Sequence, residues 1–154
     1  MTASVSEIKK ELEKRDKQEL LAFCLRLIKY KKENKELLSF ILFESEDIPS
    51  FIQHVKEEAD SLFEEMNMSN VYYIKKTTRK ILRNITKYIR FAESKEIEAE
   101  LLIYFCNCFE RYDIPVNRSR QLLNIYTSQV KKIEAAIEKL HPDLQYDLRK
   151  TLIQ

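Results

Sequence analysis

The sequence contains no glycine among its 154 residues. At the usual frequency of about 7%, roughly eleven would be expected in a chain of this length. Because glycine alone takes positive φ without a steric cost, phosphate-binding loops and most two-residue hairpin turns depend on it. Its absence therefore excludes the P-loop, the dinucleotide-binding fingerprint, the kinase glycine-rich loop and the nucleophile elbow, and with them most nucleotide-dependent enzymes.

Cysteines and long apolar runs are also scarce. The three cysteines, Cys24, Cys106 and Cys108, are odd in number and lie in apolar stretches. This pattern predicts buried free thiols in a reducing compartment, not a disulfide framework. The first 18 residues lack the apolar core of a signal peptide. No apolar run approaches the roughly 18 residues that a membrane-spanning helix needs, so we expect a cytoplasmic protein.

The overall composition is that of a soluble globular chain. Apolar residues make up 44% and charged residues 34%, with a formal net charge of +2. A chain of this length corresponds to about one domain and buries roughly two thirds of its unfolded surface. We therefore expect a single helical domain over residues 1–154, with residues 1–15 as a more loosely attached first helix.

Apolar residues recur at spacings of three and four, which predicts helices and no strands. Side chains suited to capping stand before several of these segments: Ser4 with Glu7, Asp16 with Glu19, and Ser69 and Ser94 alone. The predicted helices cover about 5–14, 17–30, 36–43, 48–66, 70–92, 95–112, 118–140 and 142–153.

The breaks between these helices are short, so neighbouring helices are expected to be antiparallel. The predicted fold is all-α: a single domain of about seven or eight helices, arranged as a compact bundle or a short HEAT-like solenoid. The run "LLSFILF", residues 37–43, is apolar nearly all round. We therefore expect its helix to lie at the centre of the fold.

Two segments, "LIKYKKENKELLSFILFE" and "FEEMNMSNVYYIKKTTRKILRNITKYIRF", are the most distinctive in the chain. From about residue 20 to residue 112, the sequence resembles a small, uncharacterised family of all-helical bacterial proteins. The resemblance implies a helical fold. It implies no activity, substrate or catalytic residue.

Candidate metal ligands do not converge in the sequence. Cys106 and Cys108 are two residues apart and would point roughly 200° away from each other on a helix. Glu138 and His141 form one Glu-x-x-His unit, whereas carboxylate-bridged di-iron bundles need two such units and two more glutamates. We therefore expect no metal and no cofactor, and we interpret His141 as a capping or surface residue.

The one local candidate for acid–base catalysis is His54 with Glu57 and Glu58, three and four residues further on. A general base with an orienting carboxylate has this spacing, and so has an ordinary exposed pair on a helix. No serine or cysteine nucleophile has a local partner. We therefore expect no enzyme.

The strongest functional candidate is the segment 74–90, which carries seven basic residues and no acidic one. At 100° per residue, all seven fall within an arc of about 140°, opposite the apolar residues. We call these seven residues the basic stripe, and Tyr72 falls inside the same arc. The members of the stripe are Lys75, Lys76, Arg79, Lys80, Arg83, Lys87 and Arg90.

The stripe has a structural and a functional interpretation. In the first, the preceding acidic helix neutralises Lys75, Arg79 and Arg83 through carboxylates at Glu57, Asp60 and Glu64. In the second, residues 71–91 form the surface of a non-catalytic protein-interaction module whose partner is unknown. The alternative partner is nucleic acid, with aromatic stacking beside the phosphate contacts. An anionic membrane is disfavoured because the core needs the apolar face, and a homodimer is also compatible with the sequence.

Overall fold

The computed structural model describes residues 1–152, which form eight α-helices, two short 3₁₀ turns and no strand. The all-α prediction is thereby confirmed. The predicted end of the last helix at Ile153 lies outside the described residues. None of the described helices has the length and apolar character that crossing a membrane requires. The helices are α1 (Val5–Glu13), α2 (Lys17–Tyr30), α3 (Lys32–Leu42), α4 (Ile48–Glu64), α5 (Val71–Ala92), α6 (Lys95–Arg111), α7 (Arg120–Ile137) and α8 (Pro142–Thr151).

Side-chain caps begin several helices where the sequence predicts them. At α1, the Glu7 amide donates to the Ser4 hydroxyl at 3.3 Å, and the Ser4 amide donates to the Glu7 carboxylate at 2.8 Å. The Asp16 carboxylate caps α2 and the Ser94 hydroxyl caps α6. Each cap satisfies an amide that has no partner within its helix.

The predicted cap of α5 is wrong by one residue. Asn70 caps this helix, accepting from the Tyr72 amide at 2.7 Å and from the Tyr73 amide at 3.4 Å. The Ser69 amide instead donates to the side chain of Asn67, within the preceding turn. Asn and Ser cap helices about equally well, so the sequence does not show which of the adjacent residues Ser69 and Asn70 is the cap.

The predicted start of α3 at residue 36 is also wrong. The helix begins at Lys32, and Lys31 alone is extended between α2 and α3, with φ −141° and ψ 134°. The Asn34 side-chain amide donates to the Leu27 carbonyl at 2.8 Å. This hydrogen bond satisfies a carbonyl near the end of α2 and lets the polar segment continue as helix. At α7 the predicted range 118–140 is longer than the helix, because residues 116–118 form a 3₁₀ turn instead.

The chain divides into two compact units, residues 1–43 and residues 44–154. A single domain over the whole chain stays a prediction, and the units are described separately. In the first, α2 and α3 pack as a helical hairpin. Residues 1–43, all of them described, contain one buried side chain, Phe40.

The expectation that "LLSFILF" lies at the centre of the fold is wrong. Ile41, Leu42 and Phe43 are 52%, 55% and 74% exposed. The helix with the most buried residues is α6, which contacts α4, α5, α7 and α8. Its buried residues are Ile97, Ala99, Leu101, Leu102, Ile103, Phe105, Cys106, Cys108 and Phe109.

In the second unit, α4 and α6 run parallel and α5 is antiparallel to α4. Lys56 pairs with Glu100, and further along both helices Phe63 contacts Phe105. Tyr88, near the end of α5, contacts Phe51 near the beginning of α4. Because four helices contact α6, this unit is a bundle and not a linear stack in which each element contacts only its neighbours.

Two of the described residues of this glycine-free chain take positive φ: Glu93 at φ 49°, directly after α5, and Asp113 at φ 54°, shortly after α6. Glycine normally occupies such positions because a Cβ atom costs about 1–2 kcal/mol in the left-handed region. The turns that end α5 and α6 are therefore made with strained backbone.

Candidate binding face

The structure places the basic stripe on the solvent side of α5. The opposite side of this helix is in the core, where Ile74, Ile81 and Ile85 are buried. Buried Thr78 lies in the same row, and its hydroxyl donates to the Ile74 carbonyl at 2.7 Å. Five stripe residues are exposed, whereas Lys75 and Lys87 are half-buried. The exposed five are Lys76, Arg79, Lys80, Arg83 and Arg90.

These five exposed cations form no ion pair with any residue in the described range 1–152. At the beginning of the stripe, the Lys75 ammonium donates to the neutral Gln121 amide oxygen at 2.7 Å. At the other end, the Lys87 ammonium lies 4.8 Å from the centre of the Tyr88 ring. The Gln121 contact brings no negative charge to Lys75.

Asp60, one of the three carboxylates of α4 predicted to neutralise the stripe, is directed at α6. It accepts from the Tyr104 hydroxyl at 2.6 and 2.7 Å and from the Tyr112 hydroxyl at 3.0 Å. The Arg111 guanidinium lies 3.6 Å from the same carboxylate and donates to the Tyr104 hydroxyl at 2.9 Å. We call Asp60, Tyr104, Arg111 and Tyr112 the Asp60 cluster.

The other two carboxylates do not reach the stripe either. Glu57 accepts from the Gln53 side chain at 3.0 Å, one turn earlier on α4. Glu64 is exposed and forms no ion pair with a described residue. Neighbouring Glu58 accepts from the Tyr88 hydroxyl at 2.7 Å. Internal neutralisation of the stripe by Glu57, Asp60 and Glu64 is therefore not what the structure has, because α4 contacts α6 as well as α5 and Asp60 faces α6.

Two aromatic rings mark the beginning of the stripe. Tyr72 is 62% exposed and Tyr73 is 43% exposed. Their ring centres are 5.4 Å apart with the planes at 76°, an edge-to-face pair. Phe91, at the far end of α5, is half-buried against Tyr88. The candidate face thus combines a row of cations with one exposed aromatic pair.

The Asp60 cluster contains residues that sequence reasoning missed. Burial, followed by the hydrogen bond to Asp60, raises the pKa of Tyr112 to about 12. The same two causes raise the pKa of Tyr104 still further. The hydroxyls and the carboxylate satisfy one another, so the cluster joins α4 to α6. Its members are 44 or more positions from Asp60 in sequence, and no local pattern indicates their meeting.

The thiols are placed as predicted in two cases of three. Cys106 and Cys108 are buried, whereas Cys24 is exposed, so the prediction for Cys24 is wrong. Burial raises the pKa of both α6 thiols to about 12, which keeps them protonated and unreactive near neutral pH. The described residues contain no group of three or more His, Cys, Asp or Glu side chains that could hold a metal ion.

The two histidines take ordinary roles. The His141 ring nitrogen Nδ1 accepts from the Asp143 amide at 3.2 Å, so His141 caps α8 as expected. His54 is exposed and has no hydrogen bond to a described residue. The glutamates that would orient it, Glu57 and Glu58, bond to other side chains.

Comparisons of the chain with protein-family models, with curated proteins and with solved structures gave no match. The resemblance to an all-helical bacterial family stays a prediction. The fold and the site define the molecule as an all-α protein with five exposed cations on one helix face that form no ion pair with a described residue. Any function assigned to it has to be argued from that face.

Proposed function

We propose that this protein is a non-catalytic, cytoplasmic interaction module and that its basic stripe binds an acidic surface of a partner protein. The observation that carries the proposal is the row of five exposed cations without an ion pair to a described residue. Folding of α5 requires only its apolar side. Folding therefore does not explain the cationic side, whereas binding of an acidic partner does.

The arrangement of the stripe has an energetic cost to the free protein. Arg79 stands four residues from both Lys75 and Arg83, and each such pair of like charges destabilises a helix by roughly 0.2–0.5 kcal/mol. An acidic partner would relieve this repulsion and add charge-assisted hydrogen bonds, of which arginine makes the strongest with carboxylates. A row of charge also accelerates encounter with a surface of opposite sign.

A protein partner is favoured over a nucleic acid by what lies beside the stripe. The neighbouring helix α4 and its C-cap residue expose four carboxylates: Glu57, Glu58, Glu64 and Glu65. These would repel a long polyanion, whereas an acidic protein surface of limited width meets only the cations. The formal net charge of +2 is also small for a dedicated nucleic-acid binder.

Nucleic acid remains the second candidate because of the exposed pair Tyr72 and Tyr73. Bases stack on exposed tyrosine rings, and a single strand would run along the cations through its phosphates. The two candidates predict different responses to nuclease and to tyrosine substitution.

The test compares affinity capture from the protein's own cells for three tagged chains: wild type, an Arg79→Glu/Arg83→Glu variant, and a Lys9→Glu/Lys10→Glu control. Both variants change the net charge by the same amount, and Lys9 and Lys10 are exposed residues of α1. Each capture is performed with and without nuclease. In parallel, binding of the purified chains to mixed-sequence single-stranded DNA is measured by fluorescence anisotropy.

A protein that is captured by the wild type and the control, lost in the stripe variant and unaffected by nuclease supports the proposal. Capture that disappears with nuclease, together with DNA binding that weakens in a Tyr72→Ala variant, supports the second candidate instead. Equal capture by all three chains, with no DNA binding, would refute a binding role for the stripe.

A further inference from the structure

Two stretches of the second unit contain no acidic residue: residues 66–92, which include α5, and residues 114–133, which include most of α7. Together they carry eleven of the 27 basic residues of the chain. All 25 acidic residues therefore lie elsewhere, beside the other 16 basic residues. Because the excess of cations is confined to α5 and α7, the cationic surface extends beyond the basic stripe.

The structure brings the beginnings of these two helices together. The Lys75 ammonium, just over one turn into α5, donates at 2.7 Å to the side-chain oxygen of Gln121, the second residue of α7. Four exposed cations stand within four residues of Lys75 or Gln121, so they lie around this hydrogen bond. We call this group of six residues the α5–α7 corner, and its four exposed cations are Lys76, Arg79, Arg118 and Arg120.

The charges of the corner have no counterion among the described residues. None of the four exposed cations forms an ion pair with a residue in the range 1–152. Gln121 is a neutral acceptor and takes one of the three N–H donors of Lys75, so this contact fixes the ammonium in place without neutralising it. Three turns further along α7, exposed Lys132 lies on the same side of the helix as Gln121 and also forms no ion pair with a described residue.

Folding does not explain the arginines at the beginning of α7. Arg120 is the first residue of this helix, where the helix dipole disfavours a cation. The first turns of α5 and α7 carry no acidic residue, whereas those of α1, α2, α3, α6 and α8 do. The chain thus provides no negative charge of its own at the place where these two helices meet.

Resting on the proposed function, we propose that the acidic partner is bound by both helices. An acidic segment of the partner protein runs from the basic stripe over Lys75 to Arg118 and Arg120. Arginine suits this role because its planar guanidinium binds a carboxylate through two parallel hydrogen bonds. The arginines before α7 are therefore a second half of the binding site.

The position of α4 favours this course across α7. Tyr88, which donates to Glu58 of α4, is about 140° from Lys75 around the axis of α5. Since Lys75 contacts α7, the helices α4 and α7 flank α5 on different sides. A segment that turns towards α7 moves away from the exposed carboxylates of α4, which would repel it.

The experiment titrates the full chain into a fluorescein-labelled deca-glutamate peptide and measures anisotropy in about 20 mM salt, where charge interactions are weakly screened. Wild type is compared with the stripe variant Arg79→Glu/Arg83→Glu, a corner variant Arg118→Glu/Arg120→Glu, and the Lys9→Glu/Lys10→Glu control. These three variants change the net charge by the same amount. A further variant, Arg118→Lys/Arg120→Lys, keeps the charge of the corner.

Circular dichroism establishes that the helices of each variant are intact. The corner variant should not lose helix content, because glutamate in the first turn of α7 interacts favourably with the helix dipole. A lower affinity of that variant is then a property of the binding site and not of the fold.

We expect the control to bind the peptide as wild type does, and the stripe and corner variants each to bind at least fivefold more weakly. Arg118→Lys/Arg120→Lys should lie between wild type and the corner variant, because lysine keeps the charge and loses the paired hydrogen bonds.

The failure of this inference is distinct from that of the proposed function. If the corner variant binds as the control does while the stripe variant is weakened, the extension to α7 is wrong and the proposed function stands. If both variants bind as the control does, both ideas are contradicted. A wild type that does not bind the peptide, or that binds a ten-nucleotide single-stranded DNA more tightly, would overturn the inference and leave the proposed function to the capture experiment.

Discussion

Arg79→Glu should stabilise the protein, although it replaces a residue at the centre of the candidate binding face. Arg79 has three basic neighbours on α5 at helical contact spacing: Lys75, Lys76 and Arg83. Each pair changes from a repulsion to an attraction of roughly 0.2–0.5 kcal/mol. Allowing for solvent screening at an exposed site, the free energy of unfolding should rise by about 1 kcal/mol, which raises Tm by roughly 2–4 °C.

The assay is thermal unfolding followed by circular dichroism, in about 20 mM and in 1 M salt. The gain should disappear in 1 M salt, where the Debye length falls to about 3 Å. Arg149→Glu is the opposite control, because Arg149 forms an ion pair with Glu134 at 3.2 Å and its reversal should lower Tm. Arg79→Ala, which only removes the repulsion, should lie between wild type and Arg79→Glu.

A lower Tm for Arg79→Glu in low salt would refute the reasoning. It would mean that Arg79 is paired with a carboxylate in solution, so that the stripe is a partner of α4 and not an open surface.

Three further predictions concern stability. Asp60→Ala should lower the free energy of unfolding by about 2–3 kcal/mol in urea titrations, because the Tyr104 and Tyr112 hydroxyls lose their acceptor; a loss no greater than that of an exposed carboxylate would contradict this. Glu93→Gly should raise the free energy of unfolding by about 0.5–1 kcal/mol, because glycine takes φ 49° without a steric cost and the extra entropy it gives the unfolded chain offsets only part of this gain. Glu93→Ala keeps the Cβ atom and should leave the free energy of unfolding unchanged. Stability should fall as pH rises from about 9 to about 12, because the pKa values of Cys106 and Tyr112 are raised to about 12 in the folded state and the unfolded chain loses these protons first. Unfolding free energies that are level between pH 8 and pH 11 would contradict that last prediction.

Local chemistry in the sequence predicts much of this fold. The apolar row through Ile74, Ile81 and Ile85 defines the buried side of α5, and the basic residues then have to lie opposite. The caps at Ser4 and Asp16 follow from side-chain spacing alone. These features depend on residues within one or two helical turns of each other, which is the range over which sequence patterns act.

What the sequence could not predict depends on contacts between distant segments. The runs in α3 and α6 are both strongly apolar, and only the presence of four neighbouring helices makes α6 the buried one. Likewise, α4 contacts both α5 and α6, and no residue near Asp60 in the sequence indicates that its carboxylate accepts from Tyr104 of α6. The exposure of Cys24 has the same origin, because it depends on what lies beside α2.

The central position of α6 also has a consequence for synthesis. A ribosome makes α4 and α5 before α6, so the apolar rows of that first pair emerge without the helix that covers them. At about 5–20 residues per second, the interval from Glu64 to Arg111 takes roughly 2 to 10 s. Helices form in about a microsecond, so α4 and α5 can pair long before α6 arrives. During those seconds Phe63 of α4 lacks the Phe105 ring of α6 that it lies against in the folded protein, and it is then that a chaperone would be of most use to the nascent chain.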